Sequence, residues 1–138
     1  MVAPVESKRI GWLLRKPFAK EREVTAVVEE QAKSTAPDLV AELENNRRLA
    51  VEPQTDKLLP FQTSVWDKSG DRVHTLPANL REDLTQAYVD MRLANSIVWF
   101  STELGHRSDS LDESYMKMCT NIAARLDRAM PLLKRLGK

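Results

Sequence analysis

From Leu80 to the C-terminus, apolar side chains recur in alternating steps of three and four along two stretches, and few folds accept that pattern. The first stretch reads Leu80, Leu84, Ala87, Met91, Ala94, Val98, Ser101, Gly105; the second reads Leu111, Tyr115, Met118, Ile122, Leu126, Ala129, Leu133, Leu136. Each is a seam of coiled-coil type. The polar tip between them is too short for anything but an antiparallel return. Folding the hairpin about that tip sets Ser101 opposite Tyr115, Val98 opposite Met118 and Ala94 opposite Ile122. Small then meets large in several layers, as an interdigitated core requires. The expected fold is all-α: a long antiparallel helical hairpin over about 77–104 and 110–136, with N-terminal helices packed across it to make a three- to four-helix bundle.

The boundaries follow from local chemistry. Pro77 opens the first long helix and Gly105 stops it. "SLDE" has capping-box form, with Ser110 as cap and Glu113 reaching back. Pro131 should kink or end the second helix near Met130, because its ring clashes with the carbonyl of Asp127. Upstream, residues 20–33 suit a helix with Val24, Val27 and Val28 as a thin apolar stripe. "STAPDL" reads as a restart capped by Ser34 or Thr35, or as a kink at Pro37, and the helix beyond runs to about Ala50 with Leu39, Leu43, Asn46 and Ala50 on one face. Residues 51–63 form a connection, "TSVWDK" one or two helical turns, and "SGDRVHT" a turn around Gly70. Pro4, Gly11 and Pro17 allow only a short helix in residues 1–19. The expected division is a basic N-terminal arm over 1–19 and a single helical domain over 20–138.

The first long helix is apolar on more than its seam. Leu93, Ile97, Phe100 and Leu104 form a second stripe, while Tyr88, Asn95, Trp99 and Thr102 lie on the opposite flank. Its C-terminal half should therefore be buried on about three sides, by the N-terminal helices or by a second chain. The stripe is an expected interface, and a homo-oligomer, a dimer first of all, is the expected assembly. Asn95 falls opposite Asn121 across the hairpin, a pairing that would fix the register.

Chemistry-bearing residues are few. His74 and His106 lie in loops with no Cys, His or carboxylate at metal-ligand spacing. Cys119 stands alone beside the seam, so it is read as a small core residue, and the absence of any intrachain disulfide fits a reducing, cytoplasmic compartment. There is no glycine-rich phosphate loop, no nucleic-acid-reading signature and no apolar run of the ~18–20 residues a bilayer span needs. No catalytic, metal or cofactor residue is expected. Charge is uneven: residues 1–22 carry six basic side chains against Glu6 and Glu21, although the whole chain is only +1. In that arm Lys8, Arg9, Arg15 and Lys16 interleave with Ile10, Trp12, Leu13, Leu14 and Phe18, a mixture suited to an anionic membrane surface or a partner.

"AELENNRRL", "LLPFQTSVWDK" and "LPANLREDLTQAYVDMRLAN" together resemble a pattern found in bacterial helical proteins of no assigned activity. There, Pro-Phe-x-Thr-x-x-Trp is followed by Leu-Pro-x-x-Leu opening a long helix, usually downstream of a membrane-spanning helix. The likeness covers residues 41–95, and this chain has only "RIGWLLRKPF" upstream. It implies that Pro60, Phe61, Thr63 and Trp66 are a structural clamp, Phe61 and Trp66 packing the connection onto the helices while Thr63 caps. The sequence thus leads to a non-enzymatic helical interaction or scaffold module in the cytoplasm. The alternative is a protein docked at the inner membrane face through its basic arm.

Overall fold

The computed structural model describes residues 3–137 apart from Thr55, and side chains from Ala26 onward. Four α-helices follow in order: α1 over Ala3–Val51, α2 over Ser64–Ser69, α3 over Ala78–Thr102 and α4 over Asp109–Leu136, with a 3-10 turn over Gly70–Thr75 between α2 and α3. No strand forms among the described residues. The all-α hairpin expected from the seams is present. Leu80, Leu84, Ala87, Met91, Ala94, Val98 and Ser101 of α3 are all buried, as are Tyr115, Ile122, Leu126, Ala129 and Leu133 of α4. Met118 is half-buried and Cys119 takes the buried place beside it. Gly105 ends the hairpin's first arm: it turns to a φ of +65°, open to glycine at little cost, and the His106 amide closes on the Phe100 carbonyl at 3.1 Å.

α4 is the helix that both α1 and α3 pack against. The buried face of α1 is Ala32, Thr35, Ala36, Leu39, Glu42, Leu43, Asn46 and Ala50, a continuous three–four repeat. That repeat runs straight through Pro37, so the expected restart does not occur. Ser34 is no cap either: its hydroxyl donates back to the Gln31 carbonyl at 3.0 Å. A helix of 49 residues replaces the two segments and the short N-terminal helix that the prolines and Gly11 suggested. Pro131 likewise lies inside α4, which neither stops nor shortens at Met130. Both Pro37 and Pro131 are exposed, as are Lys33 and Asp127, whose carbonyls lose a donor. On that side of a helix water takes the orphaned carbonyl, so proline costs less than in the core.

Two caps also differ from expectation. α4 starts at Asp109, and its cap is Ser108, whose Oγ accepts the Leu111 amide at 3.2 Å. Starting there, rather than at Ser110, places Asp109 and Asp112 in the first turn, at the positive end of the helix dipole. Thr63 precedes α2 but makes no capping bond to its amides; its hydroxyl donates instead to Asp67 at 3.0 Å.

Candidate functional site

Between α1 and α3 runs the connection that follows Val51, and the helices grip it with polar side chains. Glu42 and Asn46 lie four residues apart on the buried face of α1. Tyr88 and Asn95 lie seven apart on α3, again on one face. Asn46 takes Gln62 in both senses: its Oδ1 accepts the Gln62 amide at 2.8 Å and its Nδ2 donates to the Gln62 carbonyl at 2.7 Å. Asn95 does the same to Phe61, accepting from its amide at 2.6 Å and donating to its carbonyl at 2.9 Å. In an extended chain the polar groups of successive residues point to opposite sides. Two consecutive residues can therefore be held from two opposite helices, each asparagine amide standing in for one residue of a neighbouring strand. Tyr115 of α4 adds a third hold, its hydroxyl donating to the Leu59 carbonyl at 2.7 Å.

Glu42 does the work assigned to Thr63. It is 4% exposed, and its carboxylate accepts the amides of Val65 at 2.9 Å and Trp66 at 3.3 Å, so it caps α2 from another helix. The Tyr88 hydroxyl donates to the same carboxylate at 2.5 Å. Burial, then the hydrogen bond and charge of Glu42, then the charge of Asp67, raise the Tyr88 hydroxyl far above its ordinary value, so it remains a donor. The Trp66 ring stacks on Tyr88 at 4.5 Å with planes 11° apart, and Arg92 pairs with Asp67 at the rim.

Of the clamp suggested by the resemblance, Phe61 is buried and Trp66 is packed as described, Pro60 is exposed, and Thr63 does not cap. The expected Asn95–Asn121 pair is absent. Asn95 points to the connection and Asn121 is exposed. Sequence reading missed Glu42 altogether. Its signal was a charged residue between Leu39 and Leu43, on the same face of the same helix as Asn46.

A cleft of about 490 Å³ adjoins this cluster, lined by Thr35, Asp38, Glu42, Asn45, Lys68 and Arg72 among others. The Glu42 carboxylate already holds two amides and two hydroxyls, those of Tyr88 and, at 3.5 Å, Ser64, so it is not free to act as a base on anything entering the cleft. A second groove of about 490 Å³ between α1 and α4 is crossed by ion pairs, Arg47 to Asp127 at 2.7 Å and Lys134 to Glu44 at 3.5 Å. His74 and His106 are exposed, the latter resting its ring against Phe100 at 5.4 Å. Cys119 is buried, and burial pushes its thiol up to about 11. Among the described residues no group of three His, Cys, Asp or Glu could hold a metal, and no helix is long and apolar enough to cross a membrane.

The outer face of α3 is the other feature of note. Leu93, Phe100 and Leu104 are 49%, 46% and 45% exposed, Val89 lies above them on the same face, and only Ile97 of the expected stripe is half-buried against the core. Trp99 is exposed as well and meets Phe100 edge-on at 6.3 Å. The three-sided burial expected for this helix is therefore not achieved among the described residues of one copy. The side chains of Lys8, Arg9, Ile10, Trp12, Leu13, Leu14, Arg15, Lys16 and Phe18 lie outside the described residues. No protein-family model, no curated protein and no solved structure matches this chain.

Proposed function

We propose that this chain is a non-enzymatic helical interaction or scaffold module that docks through the outer face of α3. The observation that carries the reading is the row of half-exposed large apolar side chains, Leu93 and Phe100 on α3 and Leu104 in the turn that continues its outer face, while the opposite face of α3 is fully packed. Burying half of each such side chain against a partner contributes about 1 kcal/mol. A contiguous row of them is the surface expected of a contact site rather than of a free one. Two further features support a non-catalytic role. The buried polar side chains Glu42, Asn46 and Tyr88 are bonded to the chain itself, and where a serine hydroxyl meets a buried carboxylate, Ser64 at 3.5 Å from Glu42, that carboxylate is already held by two amides and a tyrosine.

Photo-crosslinking in the native host tests this. Benzoylphenylalanine placed at Leu93 or Phe100 should give adducts of discrete mass, and the same group at the exposed Lys117 of α4 should not. No adduct from either stripe position would remove the reading.

A further inference from the structure

We infer that the occupant of the α3 face is the α3 face of a second copy, packed antiparallel about a twofold axis that passes between Ser96 and Ile97. This rests on the docking role proposed above and names its partner. The spacing along the face carries the assignment. Val89, Leu93, Phe100 and Leu104 are separated by four, seven and four residues, so the row reads the same in both directions. A twofold pairing demands this, because residue i must meet j while j meets i. Reversing one copy about the point between Ser96 and Ile97 sets Val89 against Leu104, Leu93 against Phe100, and Ser96 against Ile97. Every large exposed side chain of the row meets another large one. The small Ser96, whose hydroxyl is turned back to the Arg92 carbonyl at 3.1 Å, falls at the centre, where the two backbones come nearest.

A parallel pairing of the same row would set each residue of the row against its own copy, Leu93 on Leu93 and Phe100 on Phe100, and would turn Arg92 and Glu103 toward the opposite flank of the partner. The charges at the margin favour the antiparallel arrangement. In antiparallel helix pairs each flank faces the like flank of the other helix. Arg92 and Glu103 lie on one flank, eleven residues apart, and the twofold brings Arg92 of one copy within about two residues of Glu103 of the other. Glu103 makes no ion pair with any described residue, whereas Arg92 already pairs with Asp67 of its own copy, so Glu103 would join that pair across the interface.

The test combines mass with cysteine cross-linking in the full chain, the native chain with its buried Cys119 serving as control. At high micromolar concentration light scattering should give twice the 15.7 kDa chain mass. Leu93→Glu, at an exposed position, should return it to one chain mass with an unchanged helical circular dichroism spectrum. Under mild oxidation Ser96→Cys should link to itself, since the two thiols are about one residue apart along the axis. Val89→Cys should not link to itself, because its two copies are roughly 22 Å apart at 1.5 Å per residue, but it should link when mixed with Leu104→Cys. A chain of single mass overturns the inference, and so does a dimer in which Val89→Cys links to itself as readily as Ser96→Cys, or one in which no stripe cysteine links. If the mass is single yet benzoylphenylalanine at Leu93 still captures a different protein, the twofold pairing fails and the docking role survives. Absence of any adduct fails both.

Discussion

The α3–α4 seam and the span between α1 and α3 hold the same helices in place by different chemistry. Across the seam, Leu84, Met91, Val98, Ile122 and Leu126 bury carbon against carbon. Between α1 and α3 the contact is made through an extended chain, and two asparagines, a glutamate and a tyrosine hold that chain by its backbone. An apolar seam is non-directional: it forgives small shifts and sums over many contacts. The polar clamp is directional, and each of its members leaves a part-buried donor or acceptor unpaired when removed. The first sets how firmly the bundle holds together. The second sets where residues 59–66 lie, and hence where α2 and the Asp67–Arg92 pair sit at the edge of α3.

The largest effect should come from the seam. Leu126→Ala removes a fully buried side chain from α4, which packs against both α1 and α3. Such truncations cost about 2–5 kcal/mol. Urea denaturation should show that loss in one cooperative transition, because all three long helices share the contact. A loss below about 1 kcal/mol would mean that the seam is not the principal support.

Glu42 is the clamp's strongest member. Glu42→Ala frees the Val65 and Trp66 amides and the Tyr88 hydroxyl together, and should cost about 3 kcal/mol. Glu42→Gln keeps one acceptor oxygen and should recover part of the loss. Hydrogen exchange separates this from general loosening: the Val65 and Trp66 amides should lose protection in Glu42→Ala while the amides of α4 exchange only through global unfolding. Equal acceleration across the whole chain would show that the clamp and the seam are one unit.

The comparison also explains which parts were legible from residue order. The seam is written in periodicity, so every buried position of α3 from Leu80 to Ser101 that lies on it could be read directly. α1 was legible as a face, and as one helix only in the alternative of a kink at Pro37, because Pro37 reads as a stop unless it is known to face solvent. The clamp is not periodic. A side chain bonded to the backbone of an irregular segment leaves no spacing signal, and Asn95 had an equally spaced asparagine, Asn121, on the facing helix to be paired with. What could be read was the anomaly itself, Glu42 and Asn46 on an otherwise apolar face. The outer face of α3 was legible as apolar, but periodicity does not say whether a second element of the same chain covers it.

The two asparagines should prove coupled. Asn46→Ala and Asn95→Ala each strand the backbone of a neighbouring residue, Gln62 or Phe61, and should each cost about 1–3 kcal/mol. The double variant should lose less than both together, since once one side lets go the chain between them is already partly free. Asn121→Ala, at an exposed position, should change stability by no more than about 0.5 kcal/mol. Strict additivity of the first two would mean that the connection is held at independent points.

The smallest effect separates the regions by pH. Cys119 belongs to the seam, and burial raises its thiol from 9.0 to about 11, with the Tyr115 hydrogen bond opposing. A raised folded value means that the unfolded chain gives up its proton first. The stabilisation is therefore complete below pH 9 and is lost as pH rises toward about 11. At pH 10 that amounts to about 1 kcal/mol, one unit of ionisation work. Tyr88 and Tyr115 shift in the same direction from 10.0, again chiefly through burial, so they add to the loss only above pH 10. Urea midpoints should thus be level up to about pH 9 and fall beyond it. Cys119→Ala should flatten the portion between pH 9 and 10 and leave the steeper fall above it. If Cys119→Ala leaves the whole alkaline profile unchanged, the thiol is not sensing the seam, and the fall belongs to the tyrosines that hold the connection.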